Sequence, residues 1–132
     1  MKRFFFALAA FSVATLPATA TAKGNLEGRW KNGHMEIVIA PCGGALCGTV
    51  VKASPKQQAK AERGSGTDLV GARVISNIHA AGAGTYRADV FVADKNVNAR
   101  GTIREVNADR LSVRGCVLAI ICKTTNWDRV SR

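Results

Sequence analysis

The chain has 132 residues, with 19 Lys and Arg against 9 Asp and Glu, a formal net charge of +10, and 47% apolar residues. That apolar share excludes a disordered polyelectrolyte, and one domain with a real core is expected at this length. The strong basic excess points toward anionic partners rather than basic ones.

Lys2 and Arg3 precede an apolar run from Phe4 to Leu16, followed by Pro17 and an A-x-A site at Ala20-Thr21-Ala22. These are the three regions of a secretory signal peptide, predicted over residues 1–22 with cleavage after Ala22. The run of 13 residues is shorter than the roughly 20 that a membrane span requires, so no span is expected. The mature chain, residues 23–132, is read as a single β-barrel domain carrying +8. Cleavage leaves no cysteine for lipid attachment, and the predicted location is the periplasm or the exterior.

A first strand is predicted over Gly24–Lys31, containing Gly28-Arg29-Trp30, with a tight turn at Asn32-Gly33. His34–Ala40 follows as a second strand with Met35, Ile37 and Ile39 on one face. The segment Ile37–Ala53 is two apolar runs folded about Cys42-Gly-Gly-Ala-Leu-Cys47, with the third strand at Gly48–Ala53. Residues 54–68, SPKQQAKAERGSGTD, lack a strand pattern and are predicted as a long basic loop. Strand character returns over Ala72–Ala80, then Thr85–Ala93 after a small-residue turn at Ala81–Gly84, then Val97–Val106, Asp109–Val117 and Ile121–Val130. About eight strands with short connections and no amphipathic helix predict an all-β fold, a small up-and-down antiparallel β-barrel. A barrel has no edge to pair, so a monomer is expected.

Four cysteines in an exported chain predict two disulfides. Of the three connectivities, Cys42–Cys47 and Cys116–Cys122 are preferred, because each pair is already close if its segment is a hairpin. A metal site is the competing reading. The C-x4-C and C-x5-C spacings are looser than zinc knuckles and only His34 and His79 could assist, so neither metal nor cofactor is expected.

The last four strands can be registered by setting Val92 opposite Val97, Glu105 opposite Asp109 and Cys116 opposite Cys122. One face then reads Tyr86, Ile103, Leu111, Trp127; next Ala88, Gly101, Val113, Thr125; and next Val90, Ala99, Gly115. These are candidate lumen residues, bulky at one end and small at the other, which leaves two readings: a lumen plugged at one end and open at the other, or, as is usual in small barrels, a core filled by loop residues and facing strands. The other face carries Arg100, Arg104, Arg110 and Arg114, whose mutual repulsion Asp89 and Asp128 are placed to offset, and it reads either as an ordinary solvated basic face or as a candidate anion-binding cluster.

Gly28-Arg29-Trp30, Cys42-Gly43-Gly44-Ala45-Leu46-Cys47-Gly48, Leu111-Ser112-Val113-Arg114-Gly115 and Thr124-Thr125-Asn126-Trp127-Asp128-Arg129-Val130 occur here in order. Through them the chain resembles the bacterial exported family called domain of unknown function 2147, over nearly all of residues 23–132. The resemblance implies a lipocalin-like (calycin) barrel with no agreed activity. It also implies that Trp30 and Arg129 meet at the barrel floor, as the G-x-W tryptophan and last-strand arginine do in lipocalin-type barrels. Many relatives carry an Asp, Asn and Pro-rich stretch where this chain has the basic residues Lys56 to Arg63.

No nucleophile motif and no paired carboxylates accompany His34 and His79, so catalysis is not expected. Nucleic acid is not an expected partner either: the mature aromatics are Trp30, Tyr86, Phe91 and Trp127, three of them assigned inside, which leaves no stacking surface. Two functions remain. One is binding of a small apolar or amphipathic ligand in the lumen. The other is docking on an anionic envelope component through the arginine face or the loop lysines Lys52, Lys56 and Lys60 with Arg63.

Overall fold

A computed structural model describes Ser12, residues 26–118 and residues 120–132. Apart from Ser12, the predicted signal peptide lies outside the described residues, as does the start of the predicted first strand. Eight strands and one helix follow in order: β1 Gly28–Asn32, β2 Met35–Pro41, β3 Leu46–Lys52, α1 Pro55–Ser65, β4 Arg73–Gly82, β5 Thr85–Val92, β6 Val97–Asn107, β7 Arg110–Val117 and β8 Ile121–Ser131. Each strand pairs antiparallel with the next, and β8 returns to β1, so the sheet closes into the expected up-and-down barrel.

Residues 54–68 are not a loop. They form α1, and the reason is local. Ser54 is the N-cap and accepts from Gln57 N–H, while the Gln57 side chain accepts from Ser54 N–H, a complete capping box. Pro55 sits in the first turn, where its missing N–H costs nothing, and Gly66 ends the helix in the left-handed conformation (φ 68°). Only Ala61 of α1 is buried, so the helix has no apolar stripe that periodicity could reveal.

The β1–β2 turn is Gly33-His34 rather than Asn32-Gly33, because Asn32 pairs with Met35 and Gly33 takes the positive φ (56°). β4 continues through Gly82 and turns at Ala83-Gly84. The β5–β6 and β7–β8 registers match expectation, with Val92 opposite Val97 and Cys116 opposite Cys122.

The β6–β7 register differs by two residues. Asn107 pairs with Arg110, Glu105 with Leu111 and Ile103 with Val113. The Asn107 side chain accepts from Asp109 N–H (2.9 Å) and tightens the turn to Ala108-Asp109. The shift also relieves repulsion on the outer face. Arg104 now lies opposite Ser112 and Arg114 opposite Thr102, where the expected register set arginine against arginine. A two-residue slip preserves inside and outside, so the sorting of residues to the two faces is unchanged.

One apolar cluster fills the barrel, from Leu26, Trp30 and Ile37 to Ile103, Leu111 and Trp127. The floor holds Trp30, Tyr86, Leu111 and Trp127. At the other end α1 lies against the β5–β6 turn: Ser65 Oγ donates to Ala93 O (2.7 Å). A β-carbon on Gly64 would run into the Asp94 carbonyl, so only glycine permits this approach.

Candidate functional site

At the floor, the Trp30 indole is fully buried and donates from Nε1 to Leu26 O (2.8 Å). Arg129 Cζ lies 4.2 Å from the Trp30 ring centroid. The guanidinium donates from Nη1 to Glu27 O (2.8 Å) and from Nε to Ala108 O (2.9 Å), with Asp109 Oδ1 at 3.8 Å. It thereby ties the N-terminal entry, the β6–β7 turn and β8 together. Burial, and then Arg132, lower the Arg129 pKa from the ordinary arginine value. Nearby, Tyr86 Oη donates to Glu105 Oε1 (2.8 Å); burial, reinforced by that carboxylate, pushes the Tyr86 pKa up to about 12. Together these contacts join β1, β5, β6 and β8 at the floor.

The candidate lumen residues all face inward, but their layers are rearranged by the register shift. Tyr86, Ile103, Val113 and Thr125 form one rung; Ala88, Gly101, Gly115 and Lys123 the next; Leu111 and Trp127 share a rung with Glu105. Ala88, Ala99, Leu111, Val113 and Trp127 are buried. Of the two readings of the small-residue end, the contacts at Gly101 and Gly115 favour the filled core. Val90 Cγ2 would lie 2.7 Å from a β-carbon on Gly101, and the Ala99 methyl would lie 3.7 Å from one on Gly115. The two best-formed clefts lie elsewhere. One, of about 290 Å³, is lined by Lys31, His34, Glu36, Lys52 and Ser54 between the β1–β2 turn and α1. The other, of about 250 Å³, is lined by Glu105, Asn107, Ala108, Arg129 and Arg132 at the floor.

Glu36 in the larger cleft is a residue that sequence reasoning missed. It is buried, accepts from Arg29 Nη2 (3.1 Å) and has Lys52 Nζ at 3.9 Å. Its continuous pairing with β1, Lys31 opposite Glu36 and Trp30 opposite Ile37, keeps it on the outer face, where Arg29 and Lys52 cover it; the extra residue of the neighbouring β-bulge, Val51, belongs to β3. His34 and His79 are exposed, and His79 Nδ1 sits 2.9 Å from Asn77 O. Among the described residues no three His, Cys, Asp or Glu side chains converge as metal ligands.

The outer face of β5–β8 is the other candidate surface. Arg87, Arg100, Arg104, Arg110 and Arg114 are all exposed there, and Asp89 and Asp128 are the carboxylates that share the face. Asp89 is opposite Arg100, and Arg110 Nε donates to Asp128 Oδ1 (2.9 Å). The lysines assigned to a loop stand on α1 instead, where Lys56, Lys60 and Arg63 fall at i, i+4 and i+7 on one exposed face.

The cysteines form the disulfides Cys42–Cys47 and Cys116–Cys122, each within or beside one hairpin. Two such bridges fit a protein that folds outside the reducing cytoplasm. Among the described residues no helix is long and apolar enough to cross a membrane.

Comparison with known proteins agrees with this architecture. The model of the family described as "Uncharacterized protein conserved in bacteria (DUF2147)" matches residues 28–129, and the chain belongs to that family. No curated protein matches the chain. Among solved structures it is similar to protein HP1028 from the human pathogen Helicobacter pylori, described as belonging to the lipocalin family. That likeness has a TM-score of 0.63 at 12% identity, over 80% of this chain and 83% of that one, and it establishes a shared lipocalin-like fold.

Proposed function

We propose that this family member works by binding rather than catalysis, as an exported monomer that docks on an anionic component of the cell envelope through the outer face of β5–β8. The observation that carries the reading is the interleaving of arginines with hydroxyl residues on that face. Arg87 and Arg114 flank Thr102, and Arg104 lies opposite Ser112. Spaced guanidinium groups between neutral neighbours suit multidentate recognition of phosphate or carboxylate groups. The signal peptide over residues 1–22 delivers the chain to that setting. Binding to purified lipopolysaccharide should weaken steeply with salt, and Arg100→Ser with Arg114→Ser should weaken it about tenfold further. A salt-insensitive complex rules the reading out.

A second reading, a small apolar ligand in the lumen, draws support from one feature. Ala88, Ala99, Gly101 and Gly115 lie toward the barrel end where α1 rests on the β5–β6 turn. Displacing α1 and Val90 would create room there. Native mass spectrometry of protein taken from its own envelope tests this: a lipid-sized adduct supports the lumen, and a bare mass counts against it.

A further inference from the structure

The tip of the β7–β8 hairpin is the most exposed apolar feature among the described residues. Leu118 is 80% exposed, Ile120 84% and Ile121 64%. Three large aliphatic side chains at one turn stand out against the other exposed ones, Val51, Val70, Val106 and Val130, each of them less exposed. Directly beneath them the Cys116–Cys122 disulfide joins facing residues, and Val117 pairs with Ile121 above it.

The hairpin also projects. β1 stops at Asn32, whose side chain donates to Asn126 O (2.7 Å), and the β1–β8 ladder begins only at Asp128. Ile121 to Thr125 therefore stand beyond β1, a reach of roughly 15 Å at a strand's rise per residue. β6 supports the other side of the hairpin, with Arg100 opposite Cys116.

The base of the tip is basic. Arg100, Arg114 and Lys123 are exposed within two rungs of the disulfide, and the carboxylate facing this group is Asp89, opposite Arg100. Aliphatic side chains above a collar of cations match the layering of an anionic bilayer, in which acyl chains lie beneath phosphate head groups. A second copy of this chain is a poor occupant: at +8 after cleavage it would bring an equal basic rim against this one. The disulfide holds the turn in one shape before contact, which reduces the ordering cost of insertion.

We propose that Leu118, Ile120 and Ile121 at this tip insert into the surface of a bilayer rich in anionic phospholipid, with Arg100, Arg114 and Lys123 on the head-group phosphates. This rests on the docking reading above and names its partner. The test is co-sedimentation of the full protein with vesicles of phosphatidylglycerol and phosphatidylethanolamine, and with vesicles of phosphatidylcholine alone. We expect partition onto the anionic vesicles only, lost at high salt. Leu118→Ser with Ile121→Ser should lower partition about tenfold at an unchanged melting temperature, one factor of ten being 1.4 kcal/mol. If that variant misfolds, Ile120→Trp serves instead, and its emission should shift to the blue on anionic vesicles. Partition unchanged by the tip substitutions, an unshifted tryptophan or no vesicle binding overturns the inference. Retained lipopolysaccharide binding in that case leaves the docking reading standing, whereas loss of both removes it too.

Discussion

Arg129 stacks on the Trp30 ring, Cζ to centroid 4.2 Å, while its N–H groups bond the carbonyls of Glu27 and Ala108. A single side chain thus closes the barrel floor through β8, the N-terminal entry and the β6–β7 turn. Arg129→Ala removes a cation–π contact of about 0.5–2 kcal/mol and two charge-assisted hydrogen bonds. The expected loss is about 2–4 kcal/mol by urea denaturation, and Arg129→Lys should recover only a minority, because an ammonium neither stacks flat nor bonds two carbonyls in one plane.

Val90 occupies the space over Gly101. Gly101→Ala should therefore destabilise the barrel by about 1–3 kcal/mol through overpacking. Val90→Ala in the same chain should offset part of that loss, which a double-mutant cycle in denaturant measures. Additive losses would mean that the two side chains do not share the space.

The contact of α1 with the β5–β6 turn depends on Gly64. Gly64→Ala sets a methyl against the Asp94 backbone, where neither partner can yield without moving the helix. Amide exchange over residues 55–65 should accelerate strongly while the β6–β7 and β7–β8 ladders stay protected. Uniform acceleration across both would show that α1 is integral to barrel stability.

Tyr86, with a folded pKa near 12 against an ordinary value of 10, holds its proton more tightly when folded. The folded state therefore binds more protons than the unfolded state between these values. The associated stability is fully present below pH 10 and is lost as the pH rises toward 12. Tyr86→Phe should flatten that part of the alkaline slope in pH-dependent thermal melts.

Much of this was legible in the sequence, and the exceptions have identifiable causes. Alternation assigned Tyr86, Ala88, Leu111 and Trp127 to the inside because one face of each strand is buried. Alternation cannot detect a slip of two, which preserves every facing, so the β6–β7 register was decided by the Asn107 side chain and by arginine repulsion. Helix α1 was hidden because its signal lies in the Ser54–Gln57 capping box and Pro55 rather than in apolar period. Alternation puts Glu36 on the outer face, and its burial there depends on the Arg29 and Lys52 side chains of neighbouring strands, which periodicity does not report; Val90 was assigned inside, and its closeness to Gly101 weighs toward the filled core.

The central claim, docking of the β5–β8 arginine face on an anionic envelope component, is tested most directly by titrating the protein with purified lipopolysaccharide across a salt series. The predicted result is an affinity that falls steeply with salt, and a shallower dependence for Arg100→Ser with Arg114→Ser than for the parent chain. An affinity independent of salt, or equal slopes for the two proteins, would contradict it.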